Sequence, residues 1–296
     1  MFLKHENERY SSRGEKMIEM LIKPKDAERK PWQMFFVGLV YASVAFFLVQ
    51  FVFAKDSVLS QYSGILLVTF TVICALPFMY YIIKLEEGKD VEISKSGKLL
   101  KEHSRAIRAL MWLFLGFVVA FSIWYLVFSN SQNFNAQIKV FCAINSPQNY
   151  ESCIKQYGLG LGKVTRPGLV MNIFANNIYV LIFTIVFSLA LGAGAIFILA
   201  WNASVIAAAI GIFSKDSLVN LPLGLARYMI HGIPEISAYF IGALAGGIVS
   251  VAVIRRDLKG ERMWRILQDA LLLIIIAVVI LFIAALMEVF ITPALF

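Results

Sequence analysis

Apolar positions in this chain come in long runs, and polar positions gather between them. The windows 32–54, 62–83, 106–128, 172–201, 232–254 and 267–291 are predominantly apolar. Each is long enough for the roughly 20 residues that a helix needs to cross a bilayer. Period-2 alternation is absent, which excludes an outer-membrane barrel. Two shorter runs, 202–213 and 218–230, are separated by Ser214-Lys215-Asp216-Ser217. Neither crosses alone. They are predicted to supply one crossing from two half-helices, as a broken span or as a short span with a re-entrant dip. Such breaks are tolerated where protein or water covers the backbone. The expected fold is an all-α, polytopic membrane bundle of about seven segments, one of them broken or re-entrant.

Composition agrees. The 296 residues are 59% hydrophobic and 16% charged, with a mean hydropathy of +0.76. A soluble domain sits well below that apolar fraction. The net charge of +8 is concentrated in three places. Eight Lys/Arg precede the first window, seven lie between Lys84 and Arg108, and five between Arg255 and Arg265. The positive-inside rule places these three segments in the cytoplasm. The N-terminus is then cytoplasmic and the C-terminus extracytoplasmic. Attraction to anionic headgroups accounts for the charge, and no aromatic-interleaved basic domain suggests nucleic acid.

Four regions follow: a cytoplasmic arm (1–31), three spans with a charged cytoplasmic linker at 84–105 (32–129), an extracytoplasmic loop (130–167) and a second membrane domain (168–296). The arm is polar, so the first span is expected to direct insertion without a cleavable leader. Met17, Ile18, Met20, Leu21 and Ile22 suit a short interfacial helix or an unstructured tail. The loop holds Cys142 and Cys153, either bridged, as the extracytoplasmic side permits, or two free thiols. Cys74 reads as a small apolar residue. The glycine-rich stretch 158–163 lacks the spacing and the Ser/Thr of a phosphate loop.

The second membrane domain carries most of the intramembrane polar groups. "HGIPE" (231–235) has the grammar of a helix start, with Gly232 as a cap-region residue, Pro234 in the first position and Glu235 in the first turn. Arg255 lies 20 residues beyond Glu235, and Glu288 lies 21 beyond Leu267. Either separation is about 30 Å along a helix. Counting therefore places Asn176, Asn177, His231, Glu235 and Glu288 together at the extracytoplasmic end, with Asn202 opposite. His231 is expected to bond Glu235 or Glu288, and Arg227 to neutralise a carboxylate, because intramembrane charges are normally paired. Three roles fit: a structural network, a site for a partner or small ligand, or a Zn or Mn site. The absence of HExxH or a second nearby histidine argues against the last, and no metal or cofactor is expected. Gly242 and Gly246 form G-x-x-x-G, a close-packing motif for use within one chain or between two. Ser188, Ser204 and Ser237 have no nucleophile spacing, so no enzyme is expected.

The pieces "ANNIYV" (175–180), Gly192-x-Gly194 leading to Asn202, "HGIPEISAYFIGALAGG" (231–247) and "EVFITP" (288–293) together resemble the stage II sporulation protein M family of integral membrane proteins. The resemblance covers about 170–296, leaving the first three spans and the cysteine-bearing loop outside it. Where the family usually has Pro-His-Gly, this chain has Ile230 before His231. The resemblance implies a role in a membrane complex, with peptidoglycan-degrading partners in endospore formers, and no catalysis of its own. Two functions are carried forward. One is a scaffold or recruitment protein, whose partners are the bilayer and other membrane proteins. The other is a transporter or channel-like protein with a polar site at a broken helix.

Overall fold

The computed structural model describes residues 27, 29–56, 58–92, 99–128, 131–145, 166–191, 195–214, 217–254 and 261–296. The expected arm up to residue 26, the glycine-rich stretch and Cys153 lie outside them. All regular elements among the described residues are helical. We number them α1 (Gln33–Leu48), α2 (Ser63–Glu92), α3 (Leu99–Phe128), α4 (Asn135–Asn145), α5 (Arg166–Leu191), α6 (Ala195–Ser214), α7 (Leu221–Ile254), α8 (Glu261–Leu286) and α9 (Thr292–Leu295). One π-helical segment, Val49–Phe53, extends α1, and another, Met287–Ile291, joins α8 to α9. Among the described residues, seven helices are long and apolar enough to cross a membrane. The chain is a polytopic all-α membrane protein.

The expected elements differ in three places. The window 172–201 is not one span. It divides into the end of α5 and the start of α6, with residues 192–194 between them. The residues flanking Gly192 and Gly194 in the sequence are apolar enough to hide the division from a hydropathy count. The run 202–213, expected as a half-helix, is the second part of α6. The run 218–230 and the window 232–254 merge into α7, a continuous helix of 34 residues with Pro234 inside it. "HGIPE" is therefore not a helix start. Pro234 costs the Ile230 carbonyl its donor, and such losses are tolerated in membrane helices packed among neighbours.

Contacts fix the helix directions. Gly38 meets Gly116, and Ser43 accepts a 2.8 Å hydrogen bond from Trp124 Nε1, so α1 and α3 run parallel. Gly242 lies against Leu181 and Gly246 against Ser188, so α5 and α7 run parallel. Gly224 lies against Phe213 and Gly232 against Ile206, so α6 runs antiparallel to α7. The pair Gly242 and Gly246 thus packs within the chain. A Cβ at Gly246 would approach the Ile185 carbonyl at 2.7 Å, so only glycine permits this backbone spacing. Ser188 and Ser250 reinforce the seam, donating to the carbonyls of Ala243 (2.6 Å) and Leu189 (2.8 Å).

The segment expected as an outer loop begins with structure. Helix α4 packs its Ile138, Phe141 and Cys142 into the core, beside the buried Phe134. Gln137 Nε2 donates to the Gly64 carbonyl (2.8 Å) and to Ser204 Oγ (3.1 Å). Ser204 sits near the middle of α6, so α4 reaches deep between α2 and α6. Asn133 hydrogen-bonds Gln50, and Phe134 joins Phe46, Phe121 and Tyr125 in an aromatic cluster. Cys142 is disulfide-bonded, whereas Cys74 is free. Between α1 and α2, Asp56 accepts hydrogen bonds from Val58 and Leu59 N–H (2.8 Å each). Those donors lower its carboxyl pKa.

Candidate intramembrane site

The polar groups of the second domain meet where α5, α7 and α8 pack together. Their depth differs from the sequence expectation. Because α7 starts at Leu221, Glu235 lies 14 residues inside it, about 21 Å along its axis. Gly232 touches Ile206, and Tyr239 shares a small enclosed space with Ile198 and Leu199. Glu235 therefore stands level with the middle of α6, a helix of only 20 residues. The cluster is inside the span and not at its rim. Asn202 is also mid-helix in α6 and not at the opposite end; its Nδ2 donates to the Ile198 carbonyl (2.8 Å).

Glu235 is partly buried. Its Oε1 accepts a 2.9 Å hydrogen bond from Tyr239, one turn along α7. Asn177 of α5, only 4% exposed, lies beside the same carboxylate, yet its Nδ2 has no hydrogen-bond partner. Its Oδ1 receives a long 3.4 Å contact from Asn176. Glu288 is an electrostatic neighbour of Glu235 and is likewise partly buried. Among the described residues Glu288 makes no hydrogen bond and neither carboxylate has an ion-pair partner.

Two expected contacts do not form. Arg227 does not neutralise a carboxylate; its guanidinium lies over the Phe213 ring at 4.8 Å, a cation–π arrangement. His231 does not bond either glutamate. Its Nδ1 lies 3.2 Å from Thr292 Oγ1, and that hydroxyl donates to the Met287 carbonyl (3.2 Å). This chain of contacts ties α7 to the π-helical turn that carries Glu288. Such π turns recur at functional sites. No group of three or more His, Cys, Asp or Glu suited to a metal occurs among the described residues.

Tyr239 and Thr292 escaped the sequence reading. Each lies four residues beyond a glutamate, on the same helix face, and that spacing was the available signal.

Residues 113–293 match the family model described as Stage II sporulation protein M. The match begins within α3 and includes α4, so the third span and the Cys142 segment belong to the shared region, contrary to the narrower extent expected from motifs. No curated protein and no solved structure matches the chain.

Proposed function

The chain belongs to the stage II sporulation protein M family, and from that premise we propose that it is a membrane-embedded scaffold that recruits other membrane proteins and catalyses nothing itself. The observation that carries this reading is the pair Glu235 and Glu288. Two carboxylates sit within the spans, partly exposed, with no cation bonded to either among the described residues. Ionisable groups at such depth are costly and mark functional sites. A partner that supplies the missing interactions offsets that cost.

The neighbouring side chains support recruitment over transport or catalysis. A transport path would need polar groups leading away from the carboxylates. The small space beside Tyr239 is instead lined by Ile198, Leu199, Ile236 and Phe240. Its Thr184 hydroxyl is committed to the Val180 carbonyl (2.8 Å). Ser188, Ser204 and Ser237 donate to backbone carbonyls, which leaves none of them poised as a nucleophile. A cytoplasmic N-terminus and extracytoplasmic C-terminus complete the proposal. The three basic clusters and the oxidised state of Cys142 support that orientation, because disulfides persist outside the cytosol.

Purification of the full chain in mild detergent, followed by mass spectrometry, tests the proposal. A specific membrane partner should co-purify and should be lost with Glu235→Gln while the protein stays folded. Recovery of the chain alone under native conditions would contradict recruitment.

A further inference from the structure

We propose that Glu235 and Glu288 receive a cationic side chain, a lysine ammonium or arginine guanidinium, carried on the transmembrane helix of a partner. This rests on the recruitment reading and specifies its chemistry. Charge complementarity carries it. The His231–Thr292 contact sets Glu235 and Glu288, each one turn from it on neighbouring helices, at one level within the span, where they are electrostatic neighbours, and no described cation bonds either. The nearby Arg227 is engaged with Phe213, and His231 with Thr292. Whenever the pair is ionised it needs compensation, because an uncompensated charge in a low-dielectric interior is strongly destabilising, and a cation from elsewhere supplies it.

A second observation is independent of the acidic pair. Asn177 is 4% exposed, and its unpartnered Nδ2 lies beside Glu235. The Tyr239 hydroxyl holds Oε1 of that carboxylate. Glu288, without a hydrogen bond among the described residues, supplies further acceptors. Its π turn is fixed by His231 and Thr292. Paired carboxylates suit the donors of an ammonium or guanidinium group through charge-assisted hydrogen bonds.

The surroundings favour a helix-borne cation over a free ion. Ile233, Phe290 and Ile291, close in sequence to the two glutamates, are about half exposed. The α8 span is the most apolar among the described residues. A hydrated ion gains little on that surface. An apolar helix covers it and delivers its cation at the required depth.

The test uses the full chain in phosphatidylcholine vesicles and an apolar transmembrane peptide of about 20 residues with one central lysine. The control peptide has leucine there. Energy transfer between labelled chain and peptide reads association. The lysine peptide should bind roughly tenfold tighter than the control, as one charge-assisted contact would give. The preference should vanish in Glu235→Gln/Glu288→Gln. Glu288→Gln alone, which removes no hydrogen bond, should weaken it too and guards against misfolding of the double variant. Equal binding of the two peptides, or a preference undiminished in the variants, would overturn the proposal. So would a rise in Tm on exchanging choline for sodium that disappears in the double variant, because the pair would then be a metal-ion site. Co-purification of a partner by the wild-type chain without any lysine preference would sink this inference and leave recruitment standing; loss of both would remove both.

Discussion

Tyr239 donates its phenolic hydrogen to Glu235 Oε1 at 2.9 Å, from one turn further along the same helix. The tyrosine is 4% exposed, so the bond is sheltered from water. It fixes one oxygen of the carboxylate. Tyr239→Phe keeps the ring and deletes the donor. It should lower stability by about 0.5–1.5 kcal/mol, the ordinary worth of one such bond, visible as a reduced Tm in detergent. Glu235→Gln should be milder, since an amide oxygen still accepts.

Gly232 and Gly246 should respond oppositely to alanine. A Cβ at Gly246 would press on the Ile185 carbonyl at 2.7 Å. Gly246→Ala should cost about 1–3 kcal/mol as α5 and α7 are forced apart. At Gly232 the nearest atoms are Met229 Cε (3.4 Å) and Ile206 Cδ1 (3.8 Å), which is ordinary contact. Because Gly232 is inside α7, alanine should stabilise by about 0.5–1 kcal/mol. Thermal melts of the two variants check the signs. A destabilised Gly232→Ala would favour a cap in place of a continuous helix.

The His231–Thr292–Met287 chain should govern the π turn. Thr292→Val removes the hydroxyl that contacts both His231 and the Met287 carbonyl. Faster amide exchange confined to 287–291 is expected. Unchanged exchange would show that the turn is held by other contacts.

Gln137 should matter although it lies in a segment that looks like a polar loop. Its amide nitrogen joins α4 to the Gly64 carbonyl and to Ser204. Gln137→Ala should cost about 1–3 kcal/mol through unsatisfied buried groups, and limited proteolysis should then cut near 131–145. A protease-resistant variant would argue against the deep placement of α4.

Hydropathy made the all-α membrane fold legible, because length and apolarity suffice to identify a span. It did not resolve where spans divide. Residues 172–201 are apolar on both sides of Gly192 and Gly194, so α5 and α6 merged into one window. Conversely, Pro234 carried the signature of a first helical turn, and only packing makes it an interior residue of α7. That single difference moved the glutamates from the rim to the interior. The proximity of Asn177, Glu235 and Glu288 was legible from counting along helices. The roles of Arg227 and His231 were not, because Phe213 and Thr292 compete for them through contacts that spacing does not encode. Gln137 was hidden for a related reason: a polar residue in a polar stretch reveals no burial.

The meeting of Glu235 and Glu288 inside the bilayer is tested most directly by nitroxide labels at both positions of the full chain in vesicles. Strong dipolar broadening between the two labels, together with protection of both from a water-soluble relaxation agent, is the expected result. Labels that do not broaden one another, or that the aqueous agent relaxes freely, would contradict the account.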